Sequence, residues 1–460
     1  MTNFLKYLFV TILFVGFSSC EDEPQLPDNV IEFESSQLGF ISTESELTIN
    51  INFSREATEA GTINLSFVAN GVDYGTDFTT EPAASGTSLT LNVDQGVTQA
   101  SFKIIKSSGV LLDGDESIEF TISSSIESLV IGEGNSLSLS FAEILATLGE
   151  IDIDGGGATY PNKVFIDLSA NRQTAVNRTT WDLGFYTGSE FKVILNSSNG
   201  MIARQVDETD LNAITAIPAG FEDEMDFNAL LTEALDWVDD PAGDLNKLAI
   251  DDISATDSEN KIYIVKRGSG PGAPPTDLDW RKIRILRSGS GYKLQHAAID
   301  ATTFSEVTID KDDEYLFNYV SFETGAVDVE PAKDRWDIAW TGFTNSTNFG
   351  TGNIPYYFQD MVLQNRFGVE VAGVMTTAIA YEDFSVDDLP AMVFTTSQIS
   401  IGSSWRSGGG PGMAPSLKTD IYYIVKDTDG NIFKLRFTAL TQGGERGRPA
   451  LEYELVQAAG

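Results

Sequence analysis

From Ile31 to about Thr147, apolar and polar residues alternate in short runs: Glu46–Phe53, Thr62–Ala69, Ser88–Val93, Ala100–Ile105 and Ser117–Ile122. A period of two sends one set of side chains to a core and the other to water, as in a half-buried strand. Polar, glycine-bearing turns separate the runs at a spacing of about ten residues, the rhythm of a β-sandwich. The pattern predicts an N-terminal antiparallel β-sandwich over residues 31–147.

The rest of the chain repeats itself. Thr180-Trp181-Asp182-Leu183-Gly184-Phe185 recurs 155 positions later as Arg335-Trp336-Asp337-Ile338-Ala339-Trp340. Ahead of the motif, Ile166-Asp167-Leu168-Ser169 corresponds to Val320-Ser321-Phe322-Glu323. Behind it, Lys192–Asn196 corresponds to Asp360–Gln364 at a spacing of 168, so the second copy holds about 13 extra residues, around Asn345–Phe358. Ile262–Lys266 matches Tyr422–Lys426, and the closing strands Gly291–Gln295 and Glu452–Val456 match as well. Ordered matches of this kind predict two homologous, mostly β units at 150–300 and 312–460. The fold class expected for the chain is therefore all-β. The clearest hairpin is Ile421–Phe437, where Asp429-Gly430 supplies the turn. One helix is expected, capped by Asp226, with Phe227, Leu230, Leu231, Ala234, Leu235 and Val238 on one face.

Composition acts by exclusion. The 460 residues include one His and one Cys, with 29 Lys+Arg against 68 Asp+Glu, a formal charge of −39. Ser-His-Asp catalysis, His-rich zinc sites and bis-His haem ligation lack their residues. Phosphate backbones would repel so acidic a chain, which removes nucleic acid as a partner. Carboxylate pairs abound, but nothing marks one for catalysis, and the chain reads as non-enzymatic.

Residues 1–20 combine Lys6, an apolar run from Tyr7 to Phe17, and Ser18-Ser19-Cys20. That is a processing segment, too short to span a bilayer as a mature helix. It resembles the signal peptide of a bacterial lipoprotein, which implies Cys20 as the lipid attachment point. The acidic Glu21-Asp22-Glu23 behind it resembles the surface-export signal of Bacteroidetes lipoproteins, and residues 21–30, with Pro24 and Pro27, suit a tether. The localisation implied is the outer membrane, lipid-anchored and facing outward, with the lipid as the only membrane contact.

Within the sandwich, Asp73–Phe78 and Asp113–Phe120 resemble the turns of Calx-β domains. In some members of that family the turn carboxylates bind Ca²⁺, which here would draw on Glu44, Asp77, Asp113, Asp115 and Glu116. The same turns also read as plain solvated surface.

The Trp-Asp strands, the Ile421–Phe437 hairpin, the turn Gly444–Pro449 and the last strand together resemble the HmuY family of haem-binding lipoproteins from Bacteroidetes. The second unit is closer to the family, and the first is a diverged copy. The resemblance implies an all-β, non-enzymatic protein that captures haem for iron acquisition and passes it to an outer-membrane haem transporter. Family members ligate the iron with two His or, in some relatives, two Met. Here Gly409 and Gly410 stand where a His would lie, which leaves Met413 in the Gly-Pro loop as one ligand and Met375 as the other, with Met392 next in line. A thioether is a soft ligand suited to haem iron. Arg366, Arg406 and Arg446 would face the propionates, and the aromatic cluster Trp340, Phe343, Phe349, Tyr356, Tyr357 and Phe358 would stack on a flat ring or form a local core. The alternative is a structural or adhesive surface lipoprotein that has lost haem and binds protein or glycan.

Overall fold

A computed structural model of the chain describes residues 27–40, 45–107, 116–141, 145–272, 275–350, 352–409 and 413–459. The chain divides into two compact units, Met1–Ala142 and Glu143–Gly460.

In the first unit the alternating runs form two five-stranded sheets. One has the order Phe78–Glu81, Gln99–Lys106, Glu46–Phe53, Val30–Phe33, Val130–Ile131. The other runs Gln37–Gly39, Ser136–Ser140, Ser117–Ser124, Gly61–Asn70, Ser88–Val93. Buried and exposed residues alternate along Glu46–Phe53 and Ser88–Val93, so each strand sends one face into the core. Aromatic side chains fill that core across the sheets, with Phe102 and Phe120 ring centroids 5.1 Å apart. The pairing is antiparallel except for two short parallel contacts, Val30–Ile31 with Val130–Ile131 and Gln37–Gly39 with Ser138–Ser140. The last sandwich strand ends at Ser140, and the Ala146 N–H already bonds the Ser169 carbonyl at 2.7 Å, inside the following unit.

The second unit holds both sequence copies, and its strand pairing cuts across them. The Trp-Asp strand of the first copy, Leu183–Tyr186, pairs with Phe317–Ser321, which opens the second copy. Reciprocally, the Trp-Asp strand of the second copy, Ile338–Asn348, pairs with Asn162–Asp167, which opens the first. The leading strands follow the same rule: Leu148–Asp152 joins the final strand Ala450–Gln457, and Ser305–Ile309 joins Gly291–Ala298. Two bodies result. One is continuous, about 178–327, with its own buried cluster around Phe185, Val265, Ile283, Leu294 and Val320. The other combines about 145–177 with about 328–459, around Ile166, Trp340, Val425, Leu435 and Tyr453. Each body is thus circularly shifted relative to the sequence repeat. A third cluster joins the bodies: Phe165, Trp181, Ile194, Phe317, Tyr319, Trp336 and Ala339.

The short crossing from Asn177 to Trp181 is held by buried Arg178. Its Nε donates to the Tyr160 carbonyl at 2.8 Å, and its Nη1 donates to Asn199 Oδ1 at 2.6 Å and to the Ser269 carbonyl at 2.7 Å. A guanidinium with that many acceptors is well compensated for its desolvation.

The Ile421–Phe437 hairpin forms as expected, between Ile421–Lys426 and Ile432–Ala439, with Gly430 at φ +94° in the turn. The expected helix after Asp226 does not form. Asp226 does cap, accepting the Asn228 N–H at 2.8 Å, but Leu230 adopts φ +53° and splits the segment into short 3-10 turns, Phe227–Ala229 and Glu233–Trp237. Docking Val238 into the cluster of Ile202 and Ile264 decides the path, and helical periodicity yields to it.

This topology predicts which fragment folds. Residues 178–327 produced alone contain a complete body and should melt cooperatively. Residues 150–300, the sequence repeat, lack the strand that pairs with Leu183–Tyr186 and should show no cooperative transition by circular dichroism. The reverse result would refute the shifted arrangement.

Candidate functional site

The Trp-Asp motif builds one hydrogen-bond frame twice. Asp182 accepts the Phe322 N–H at 2.7 Å, and Asp337 accepts the Leu168 N–H at 2.8 Å, so each carboxylate seizes the end of the strand lent by the other copy. Asn196 Nδ2 donates to the Arg178 and Trp181 carbonyls, both at 2.7 Å. Asn365 repeats this with Lys333 and Trp336, both at 2.8 Å. Asn196 therefore corresponds to Asn365, one residue beyond the Gln364 that the sequence alignment pairs with it.

The two frames differ in charge. Asp182, fully buried, receives the Arg267 guanidinium through Nε at 2.7 Å and Nη2 at 3.1 Å. Burial pulls the Arg267 guanidinium down, but Asp182 and Asp279 more than offset that and leave it raised. At the matching place in the second copy stands Asp427. Asp337 has no cation partner among the described residues; burial first, then Asp167, raises its carboxyl well above the usual range and favours the protonated acid. Among the described residues no group of three or more His, Cys, Asp or Glu is arranged to hold a metal ion.

The Gly-Pro loop is anchored by Trp405, which stacks on Phe437 with centroids 4.2 Å apart and donates Nε1–H to the Asp360 carbonyl at 3.2 Å. Beyond Arg406–Ser407 the chain turns through Gly409, at φ +78°; a Cβ there would lie 2.7 Å from the Met413 carbonyl oxygen, so only glycine closes this loop. Met413 is left 69% exposed and Met375, at the end of Glu370–Met375, 44% exposed. Met375 pairs with Ile421, at the start of the strand Ile421–Lys426, whereas Met413 precedes Ser416–Leu417, which pairs with Arg406–Ser407 in a separate two-stranded sheet. Met392 packs half-buried beside Tyr422 and Phe384.

The three arginines are turned inward. Arg406 is buried and donates to the Gln359 and Asp360 carbonyls. Arg446 pairs with the buried Asp360 carboxylate. Arg366 donates Nε–H to Gln398 Oε1 at 2.9 Å and faces Phe317. The aromatic cluster also divides. Trp340 and Phe343 are buried, Tyr357 donates its hydroxyl to the Ser198 carbonyl at 2.8 Å, and Phe349, Tyr356 and Phe358 form a surface ladder with centroids 5.6 and 5.2 Å apart. His296 is buried, stacks on Phe322 at 5.3 Å, and has its pKa lowered by burial and by Arg281.

In the sandwich, Asp77 accepts the Asp73 N–H at 2.8 Å and so closes its own turn. Tyr74 of that turn packs on Phe67 and Phe78 and accepts the Ala84 N–H at 2.8 Å. Glu116 is described and lies beside Gly71. Glu44, Asp113 and Asp115 lie outside the described residues, as does Cys20. Among the described residues no helix is long and apolar enough to cross a membrane.

Sequence reasoning passed over Lys163 and Glu330, charged groups packed between the two bodies. The signal available was a lysine leading directly into the apolar run Val164-Phe165-Ile166.

A duplicated all-β unit with paired Trp-Asp frames is the class defined by this geometry. The sequence model of the family described as HmuY protein matches residues 159–285 and 313–453, more than half of the chain. The protein belongs to the HmuY family. No curated protein matches it. Among solved structures it is similar to an apo-form Calx CBD1 domain, at 14% identity over 25% of this chain and 96% of that one, with a TM-score of 0.21. It is also similar to a two-domain protein of unknown function from Bacteroides fragilis, at 13% identity over 41% and 73% of the two chains, with a TM-score of 0.18. A putative carbohydrate binding protein from Bacteroides ovatus matches at 11% identity over 94% and 99%, with a TM-score of 0.18.

The charge difference between the frames is measurable. Asp182→Asn leaves Arg267 buried without its main counter-ion and should cost about 3–5 kcal/mol. Asp337→Asn breaks no ion pair and should cost less than about 1.5 kcal/mol. Urea midpoints read both, and equal losses would contradict the assignment.

Asp239 supplies a pH test. It accepts the Leu195 N–H at 2.7 Å and the Ala249 N–H at 3.1 Å, and burial pushes its carboxyl up to about 6. A raised carboxyl contributes stability below its unfolded value and loses it as pH rises through about 6. Relative to Asp239→Asn, the wild type should therefore lose about 1–3 kcal/mol between pH 4 and pH 7.5. A pH-independent difference between the two proteins would remove Asp239 from this role.

Proposed function

We propose that this chain is a non-enzymatic lipoprotein of the outer membrane that binds haem at the cell surface for iron acquisition. The observation that carries the reading is the HmuY match over both copies. The exposure of the two thioethers supports it, since Met413 and Met375 are solvent-accessible while most of the described apolar side chains are packed inside. Their thioether sulfurs would hold the haem iron, and the bound haem would be passed to an outer-membrane transporter. The inward arginines leave propionate recognition to other groups. The anchor would be lipid on Cys20, with residues 21–30 as tether, and Ca²⁺ would be a ligand of the sandwich only if Glu44, Asp113 and Asp115 converge on Asp77 and Glu116.

A second reading, adhesion to protein or glycan, draws on the exposed rings of Phe349 and Tyr356, 61% and 40% exposed, which pack edge-to-face on one another and on half-buried Phe358. Exposed aromatic rings suit contact with a sugar or a partner surface.

Haemin titration of the chain from Glu21 onward should give a saturable Soret shift near one haem per chain. Met413→Ala and Met375→Ala should each replace the thioether-ligated spectrum with a weaker-field one. A Soret band unchanged by both variants excludes these ligands, and no saturable shift at all transfers the weight to the adhesive reading. Cys20→Ala should move the protein from the membrane fraction to the soluble one.

A further inference from the structure

A cavity of about 40 Å³ lies where the two bodies of the second unit meet. Its wall draws Trp181, Ile194 and Ser198 from one body and Lys163, Trp336 and Gln364 from the other. Trp181 and Trp336 are the same position of the two copies, so the cavity sits on the axis of the duplication. The volume is far below the hundreds of Å³ of a drug-sized or haem pocket, and it admits about three water-sized spheres.

The lining is unbalanced. The Nε1–H of Trp181 and that of Trp336 are buried without a hydrogen-bond acceptor among the described residues. Lys163 has no hydrogen bond or ion pair among them either; its ammonium lies 4.7 Å from the Phe165 ring centroid and 5.9 Å from that of Trp181. Burial pulls it down to about 8, which still leaves it charged at neutral pH. Arg366 spends only its Nε–H, on Gln398. On the acceptor side, Glu330 is already engaged by the Phe317 N–H at 3.1 Å and by the Tyr319 hydroxyl at 3.0 Å. Gln364 Oε1 is the one unpartnered acceptor found in the wall. Donors thus outnumber acceptors, and neither Lys163 nor Arg366 forms an ion pair among the described residues, although Glu330 faces both and Asp239 and Asp240 face Arg366.

Buried donors of this kind are nearly always satisfied in folded proteins. We propose that the cavity is a binding site for a small monovalent anion of up to about four heavy atoms, the class of chloride, nitrate and formate, held by the two indole N–H groups and the Lys163 ammonium. The ion supplies the acceptors that the wall lacks, and it ties one copy to the other. Larger oxyanions such as sulfate exceed the volume.

The chain contains six tryptophans. In the mature chain labelled with ¹⁵N in its indoles, two resonances, assigned through Trp181→Phe and Trp336→Phe, should shift saturably with nitrate at ionic strength held constant by gluconate. The other four should not follow. Lys163→Met, which keeps the stem and removes the charge, should abolish the saturable shift. As a second readout that needs no variant, the wild type should melt at a higher temperature in nitrate or chloride than in gluconate. Water as the only occupant predicts equal melting temperatures and no saturable shift at either indole, and that result would overturn the proposal.

Discussion

The second unit depends on one contact made twice: a buried aspartate of a Trp-Asp strand accepting a backbone N–H from the strand that opens the other copy. A strand with an open edge in a protein interior leaves backbone donors unpaired, and each costs about as much as a lost hydrogen bond. The chain meets this by exchange. Phe317–Ser321 fills the edge of the first Trp-Asp strand and Asn162–Asp167 fills that of the second. Arg178, pinned to three carbonyls and a side-chain oxygen, fixes the point where the chain leaves one body for the other.

Duplication preserved this frame and released everything around it. The asparagine clamps are the same in both copies, while the partner of the aspartate is a guanidinium in one and a neighbourhood of acids in the other. A buried ion pair is expensive to desolvate and more expensive to break. A lone buried carboxyl escapes that cost by keeping its proton. Both solutions hold the strand, which explains how the copies diverged in charge without diverging in path.

The outer features diverged furthest. In the second copy the hairpin Ile338–Asn348 with Asn353–Gln364 extends well beyond its counterpart and carries the aromatic ladder outward. The loop after Trp405 presents a thioether to solvent because glycine alone tolerates the closure at Gly409. Binding features on loops and hairpin tips above a fixed frame are what a scaffold with a conserved interior permits.

The sequence by itself determined the all-β class, the sandwich, the Ile421–Phe437 hairpin and the duplication. The first three rest on local periodicity, which follows from where a strand points its side chains, and the duplication rests on motifs that recur in the same order. It also disclosed the family, through motifs such as Trp-Asp that every copy must keep to hold its strand. Tertiary structure alone decided which copy each strand serves, because pairing between segments some 150–300 positions apart is a matter of edge satisfaction and not of local pattern. It decided that the segment after Asp226 breaks at Leu230, since packing on Ile202 and Ile264 outweighs helical spacing. It turned Arg406 and Arg446 inward onto Asp360. And it placed Lys163, Trp181 and Trp336 around one cavity, a juxtaposition that arises only where the two bodies meet.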